Sequence, residues 1–344
     1  MAKLNILLTF DYELPLGGVK KDYNDALFAP TEKLLQTAEQ LQVPLVFFAD
    51  ILSYARFMDW DIENYCIPFK NQLQTALQRG HDVQLHTHPH WLDSQFEHQR
   101  FIPSNKFELA DFPDKEIEQI IQLGIDELNC ICKGVNPDYQ CTAFRAGGFN
   151  LNGSTQAILN ALHQNGIRFD SSIAKGYFFS SAISYVNYRK TAKKCNWYLD
   201  FEGDFSKGNT HGIMEIPIAT IPKSLFEVPT RFKLKNLENR AVDRGVVIHT
   251  EKDPNRLNQI RQLFSSRMLT VDNYTYSIDY LMKIVKYNLS KYKKEVPIYF
   301  CLLGHPKSMD DYSLKLLSEF VIRTRNLYKE EVRFCTFNQL EKIV

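Results

Sequence analysis

The feature that most constrains this chain is an alternation of short, mostly apolar runs with stretches of helical periodicity. The runs are Leu4 to Phe10, Val43 to Ala49, Asp82 to His86, Thr142 to Phe144, Ile167 to Phe169, Ile213 to Ile218, Val246 to Ile248, Ile298 to Leu303 and Val332 to Phe337. A strand that is apolar on both faces must be covered on both, and helices between successive strands do this for a parallel sheet. Pro30 opens a helix with Leu34, Leu35, Ala38 and Leu41 on one face, and Asp114 can cap one that buries Ile117, Ile120, Ile121, Ile125 and Leu128. A third runs from about Ser154 through Ile158, Leu159 and Leu162 and stops at Gly166, where a left-handed residue is expected.

With 344 residues, 44% of them hydrophobic, the chain has ample material for one large core. Residues 1–344 are expected to form a single domain, with an excursion at about 173–212 that is rich in Tyr, Phe, Lys and Gly and packs over one end of the barrel. Lys and Arg number 41 against 40 Asp and Glu, so no net field draws the chain to nucleic acid or acidic membranes, and a small neutral partner suits it better. No run approaches the roughly 18 apolar residues of a membrane span. The apolar run at the N-terminus is too short for a signal segment and ends at Asp11, so a cytoplasmic location is expected. Cysteines at 66, 130, 132, 141, 195, 301 and 335 are odd in number and lack paired spacing, as expected of reduced, mostly buried thiols.

Ionisable residues gather where strands end. Asp11 and Glu13 follow the first, His86, His88 and His90 the third, Arg145 the fourth, Asp170 the fifth, and His305 follows Ile298 to Leu303. In α/β barrels that end of the strands carries the active site. Three histidines within Leu85-His86-Thr87-His88-Pro89-His90-Trp91 suit a divalent transition metal, which imidazole binds through a neutral ring nitrogen. A hydrogen-bonded loop would read the same way. Spacing leaves the ligand pair open: a strand continuing to residue 88 puts His86 and His88 on one face, whereas a turn at Pro89 brings His90 back to His86.

Thr9-Phe10-Asp11, Gly80 to His90, Phe144-Arg145-Ala146-Gly147, Asp170-Ser171-Ser172 and Leu302-Leu303-Gly304-His305-Pro306 together resemble the ordered motifs of the polysaccharide deacetylases, the NodB homology domain. The resemblance runs from residue 4 to about 337 and is weak from about 173 to 290. It implies an irregular (β/α)7-type barrel and one divalent transition-metal ion, zinc first, held by His86 and His90. It also implies Asp11 as general base, Arg145 orienting it, His305 as general acid, and His88 in a supporting role.

Two departures matter. The family commonly has two adjacent aspartates, the second on the metal, and here that position is Tyr12. Glu13 shares a face with Asp11 in an extended segment and is expected as third ligand, with Asp11 itself the alternative. The family's Arg-x-Pro has become Arg145-Ala146-Gly147, so the backbone oxyanion donor is open; Gly147, Gly148, Asp170 and Trp91 are the expected substrate contacts. The resulting expectation is hydrolytic N-deacetylation of an N-acetylated sugar, an intermediate of surface polysaccharide. The alternatives are a metal-dependent amidohydrolase on a non-sugar amide and an inactive carbohydrate-binding relative, which Tyr12 keeps open.

Overall fold

The computed structural model describes residues 3–97, 100–223, 244–245, 253–273, 275 and 277–340; the strand expected at 246–248, with His98 and His249, lies outside them. The main sheet contains β1 (Leu4–Tyr12), β2 (Val46–Asp50), β3 (Asp82–Thr87), β4 (Ala143–Ala146), β5 (Phe169–Asp170), β6 (Trp197–Tyr198), β7 (Met214–Glu215), β8 (Ile298–Gly304) and β9 (Val332–Phe334). Their order is β6-β7-β5-β4-β3-β2-β1-β8, with β9 also on β1, and every pairing is parallel except β6 with β7. The curl is closed by a few bonds rather than a ladder. The Cys301 amide donates to Pro217 O at 2.9 Å, the Ala219 amide to Cys301 O at 3.1 Å, and the Asn196 amide group donates to Tyr299 O at 2.8 Å. This is the irregular α/β barrel expected.

Helices α1 (Ala29–Leu41), α2 (Ile51–Phe57), α3 (Ile67–Gln78), α4 (Asp114–Lys133), α5 (Thr155–Gln164), α6 (Arg256–Leu263), α7 (Ile278–Lys291) and α8 (Asp311–Tyr328) include the three expected ones. Pro113, not Asp114, occupies the cap of α4: its carbonyl accepts the first helical amides, and Asp114 enters the first turn, where a negative charge favours the helix dipole. Gly166 does adopt the left-handed conformation, with φ of 83°. The last strand ends at Phe334 rather than Phe337, because residues 337–340 turn into a helical piece whose Phe337 and Asn338 amides Asp82 accepts. The excursion forms a hairpin of Phe178–Ser180 with Tyr185–Asn187, then adds β6 to the sheet edge. No helix among the described residues is long and apolar enough to cross a membrane.

The two-residue strand period sorts the side chains into two layers. On β1, Leu4, Ile6, Leu8, Phe10 and Tyr12 pack under the helices, while Leu7 belongs to a second apolar cluster with Val46, Phe48, Ala143, Cys301 and Leu303 inside the barrel. Carrying that inner face toward the C-terminal strand ends adds Thr9, Asp11 and Glu13 from β1, Asp50 from β2, His86 and His88 from β3, Arg145 from β4 and His305 after β8. The polar site is therefore the continuation of the inner core.

His81, just before β3, is structural. The Leu45 amide ahead of β2 donates to its Nδ1 at 3.1 Å, a bond that an imidazolium cannot accept. Burial, and then Arg79, lower its pKa from 6.5 to about 4. A folded pKa below the unfolded one means this stabilisation is present above 6.5 and lost as pH falls toward 4. Between about pH 7 and pH 5 the wild type should lose about 2 kcal/mol relative to His81→Gln in urea unfolding. A difference that stays constant over that range would show that His81 does not titrate as its burial demands.

Candidate active site

At the end of β1 the alternation turns Asp11 and Glu13 inward and Tyr12 outward. The Tyr12 ring packs between Phe47 and Phe69, and its hydroxyl donates to Gln72 Oε1 at 2.8 Å. An aromatic at position 12 therefore takes nothing from the inner face.

Glu13, His86 and His88 form a buried group whose donor atoms all lie within 4.8 Å of one another. The His86 and His88 Nε2 atoms are 3.2 Å apart; Glu13 Oε2 is 3.3 Å from His86 Nε2 and also contacts His88 Nε2. Ligands about 2.05 Å from a tetrahedral ion lie about 3.3 Å from each other, so these spacings fit a divalent transition metal. His86 Nδ1 donates to Arg145 O at 2.7 Å, which leaves the Nε2 lone pair for an ion. His88 is placed by its main chain: Asp50 Oδ1 accepts from its amide at 3.0 Å while Asp50 Oδ2 accepts from Trp91 Nε1 at 2.6 Å. Gly147 leaves room for the His88 ring, because a Cβ there would lie 2.5 Å from Thr87 O and 2.8 Å from His88 Nδ1.

Burial would raise the Glu13 pKa, but Lys307, His88 and His86 outweigh it and hold the carboxyl well below its usual range. Lys307 Nζ sits 2.9 Å from Glu13 Oε1, the oxygen turned away from His86 and His88. Burial opposes charge on His86 too, yet Asp11 and Glu13 raise it to about 9. An ion entering here must displace that proton.

Beside this group Arg145, fully buried, donates to Asp11 Oδ1 at 2.6 Å, to Thr9 Oγ1 at 2.8 Å, and to Ser171 Oγ and O, each at 2.9 Å. Asp11 Oδ2 is left facing His305 Nε2 at 3.5 Å, while His305 Nδ1 faces Asp272 Oδ2 at 3.5 Å. Burial lowers the His305 pKa, but Asp272, Asp11 and Glu13 together raise it above 6.5. With side-chain exposures of 18% and 14%, His305 and Lys307 are the parts of this cluster that reach solvent.

The other expected residues fall elsewhere. His90 is not within the donor group; it lies between Trp91 and Phe107, its ring 5.7 Å from that of His88, with neither ring nitrogen partnered among the described residues. Burial and His88 lower its pKa to about 2. Trp91, expected to meet a sugar, is wholly buried against Phe57 and Phe101 with its N–H given to Asp50. Asp170 is in register with Phe144, so it shares the face opposite Arg145 and spends its oxygens on Ser172. Gly148 is exposed with φ of 60°. Asp50, Lys307 and Asp272 escaped the sequence reading; an aspartate closing the apolar run Val46-Phe47-Phe48-Ala49, like Asp11 after β1, was the available signal for the first.

No family model and no curated protein matches the sequence. Solved structures do match. A "putative polysaccharide deacetylase" from Mycobacterium smegmatis gives a TM-score of 0.52 at 12% identity, covering 100% of this chain and 90% of that one. A 4-alpha-glucanotransferase from Thermococcus litoralis gives 0.52 at 13%, covering 100% of this chain and 41% of that one. The class so defined is the irregular (β/α)7 barrel. The likeness along nearly the full length of the first structure establishes the fold, an irregular (β/α)7 barrel as the sequence motifs implied, and the fold alone.

A divalent transition ion should bind at about one per chain. Glu13→Gln, His86→Ala and His88→Ala should each weaken it by at least about tenfold. Affinity should rise with pH up to about 9, where His86 loses its proton. If His90→Ala loses the metal and His88→Ala keeps it, the loaded site uses His90 in place of His88.

Proposed function

We propose that this chain is a metal-dependent hydrolase that removes the acetyl group from an N-acetylated sugar, an intermediate in making surface polysaccharide. The observation that supports this best is the placing of a Glu-His-His donor set beside an arginine-clamped aspartate and a solvent-reaching histidine faced by carboxylates. Base, acid and metal ligands come from the ends of three strands, β1, β3 and β8, on one inner face.

A divalent ion on Glu13, His86 and His88 would supply Lewis acidity toward an amide carbonyl and bring the pKa of water from about 15.7 toward 7. The chain's own groups do the rest. Arg145 occupies one Asp11 oxygen, so Oδ2 is the atom left to take the proton from attacking water. Asp272, Asp11 and Glu13 raise the His305 pKa, and with Nδ1 turned to Asp272 the ring presents Nε2 to the reacting side, where it can donate a proton. Without that proton the leaving group is an amide anion, too basic to depart.

Release of acetate from N-acetylated sugars, but not from simple acetamides of similar size, is the expected substrate pattern. The rate should follow a bell in pH, with an alkaline limb above 6.5 because the His305 pKa is raised. His305→Ala should lower turnover of the amide by roughly 100- to 10,000-fold while leaving metal content intact. An aryl acetate ester, whose leaving oxygen needs no proton, should lose far less. Equal losses on the two substrates would remove the acid role from His305.

A further inference from the structure

Away from the site, a cleft of about 600 Å³ lies between the excursion and the C-terminal half of α7, and none of the site's residues lines it. Its walls carry Lys175, Arg189, Lys190, Lys193 and Lys291 together with Tyr287 and several Ser and Thr hydroxyls, and no carboxylate among the described residues. Five cations in one cleft of a chain whose net charge is only +1 is a local concentration, not a reflection of overall composition.

Lys175 gives a second, separate indication. Its side chain is more than nine-tenths buried, with Nζ donating to Ala192 O at 2.8 Å and to Lys194 O, and lying 4.1 Å from the centre of the Trp197 ring. Carbonyls and a ring face solvate the ammonium; Glu215 and Glu295 act on it at longer range, but no carboxylate among the described residues is within ion-pair distance, and burial pulls its pKa down to about 8. Buried charges are normally paired, so one with no carboxylate that close in the wall of a cation-lined cleft points to an anion from outside. Lysines act as point charges toward phosphate, and the Thr191 and Ser266 hydroxyls add donors for its remaining oxygens, those of Thr220 and Ser206 being given to Lys175 O and Asp204 Oδ1.

We propose that this cleft binds the phosphate or diphosphate group of a small molecule. The cleft has room beyond one phosphate, which suits a diphosphate joined to a larger body. A neutral sugar would instead be met by carboxylates and flat aromatic faces, and among the described residues the cleft is lined by one tyrosine and no acid. This binding is independent of whether the metal-ligand cluster hydrolyses an amide.

The test is calorimetric titration of the full chain with inorganic diphosphate, UDP and farnesyl diphosphate, with and without added zinc. Lys190, Lys193 and Lys291 are exposed, so the triple change to Gln should keep the wild-type melting temperature while weakening all three ligands by at least about tenfold. Lys70→Gln with Lys115→Gln and Lys315→Gln, an equal charge loss on other exposed surface, should change nothing. Tighter binding of UDP would assign a nucleotide source, tighter farnesyl diphosphate a lipid one, and equal affinities free diphosphate; each supports the cleft. Unchanged affinity in the triple variant, binding that needs zinc, or no binding at about 1 mM ligand would overturn it.

Discussion

The site depends on one buried guanidinium. Arg145 has no exposure, and its bonds reach Asp11 and Thr9 on β1 and Ser171 beyond β5, while its plane lies 4.2 Å from the Phe48 ring centre on β2. Thr9 passes the connection to β8 by donating to Leu302 O at 2.6 Å. A single side chain thus fixes the C-terminal ends of strands from across the barrel. Taking a guanidinium out of water costs several kcal/mol, recovered here only because its donors are met and Asp11 opposes its charge. Removing either partner would strand the other and cost roughly 3–5 kcal/mol, so the pair is structural and chemical at once.

This clamp divides the labour of the carboxylates. Asp11 has one oxygen committed to Arg145 and one left toward His305. Glu13 divides in the same manner, with Oε2 toward the histidines and Oε1 toward Lys307 and His305. Lys307 therefore holds Oε1 and leaves Oε2 to His86 and His88. Neighbouring carboxylates raise the pKa of His86 to about 9 and that of His305 above 6.5, so a dication bound here would replace protons rather than add to a neutral site.

Much of this architecture is legible in the sequence because strands buried on both faces must be apolar almost throughout. The polar residues that interrupt them at their C-terminal ends then stand out. Where legibility failed, the local pattern had two physical meanings. Asp50 opens α2, where an aspartate reads as a helix cap, but its oxygens instead fix His88 and Trp91, and no side-chain cap bond forms. Trp91 adjoins the histidine motif and suggests a sugar platform, yet an indole N–H satisfied by a buried carboxylate belongs to the core. The strand face reaches His88 before Pro89 begins a 3-10 turn over Pro89–Asp93, which sends His90 between Trp91 and Phe107. No periodicity rule decides where a strand yields to a turn within three residues.

Position 12 shows how the chemistry of a shared barrel is set by which side chains face inward. The likeness to a deacetylase and to a glucanotransferase at the same TM-score means that the backbone alone does not choose a reaction. In an extended strand, two adjacent residues point to opposite faces, so Tyr12 joins Phe47 and Phe69 under the helices, where a carboxylate would be stranded in apolar surroundings. Moving the second acid to position 13 returns it to the inner face. The donor set of Glu13, His86 and His88 is complete because the strand continues in regular alternation past Asp11, so replacing the usual second aspartate by tyrosine changes the register of the carboxylate without removing it.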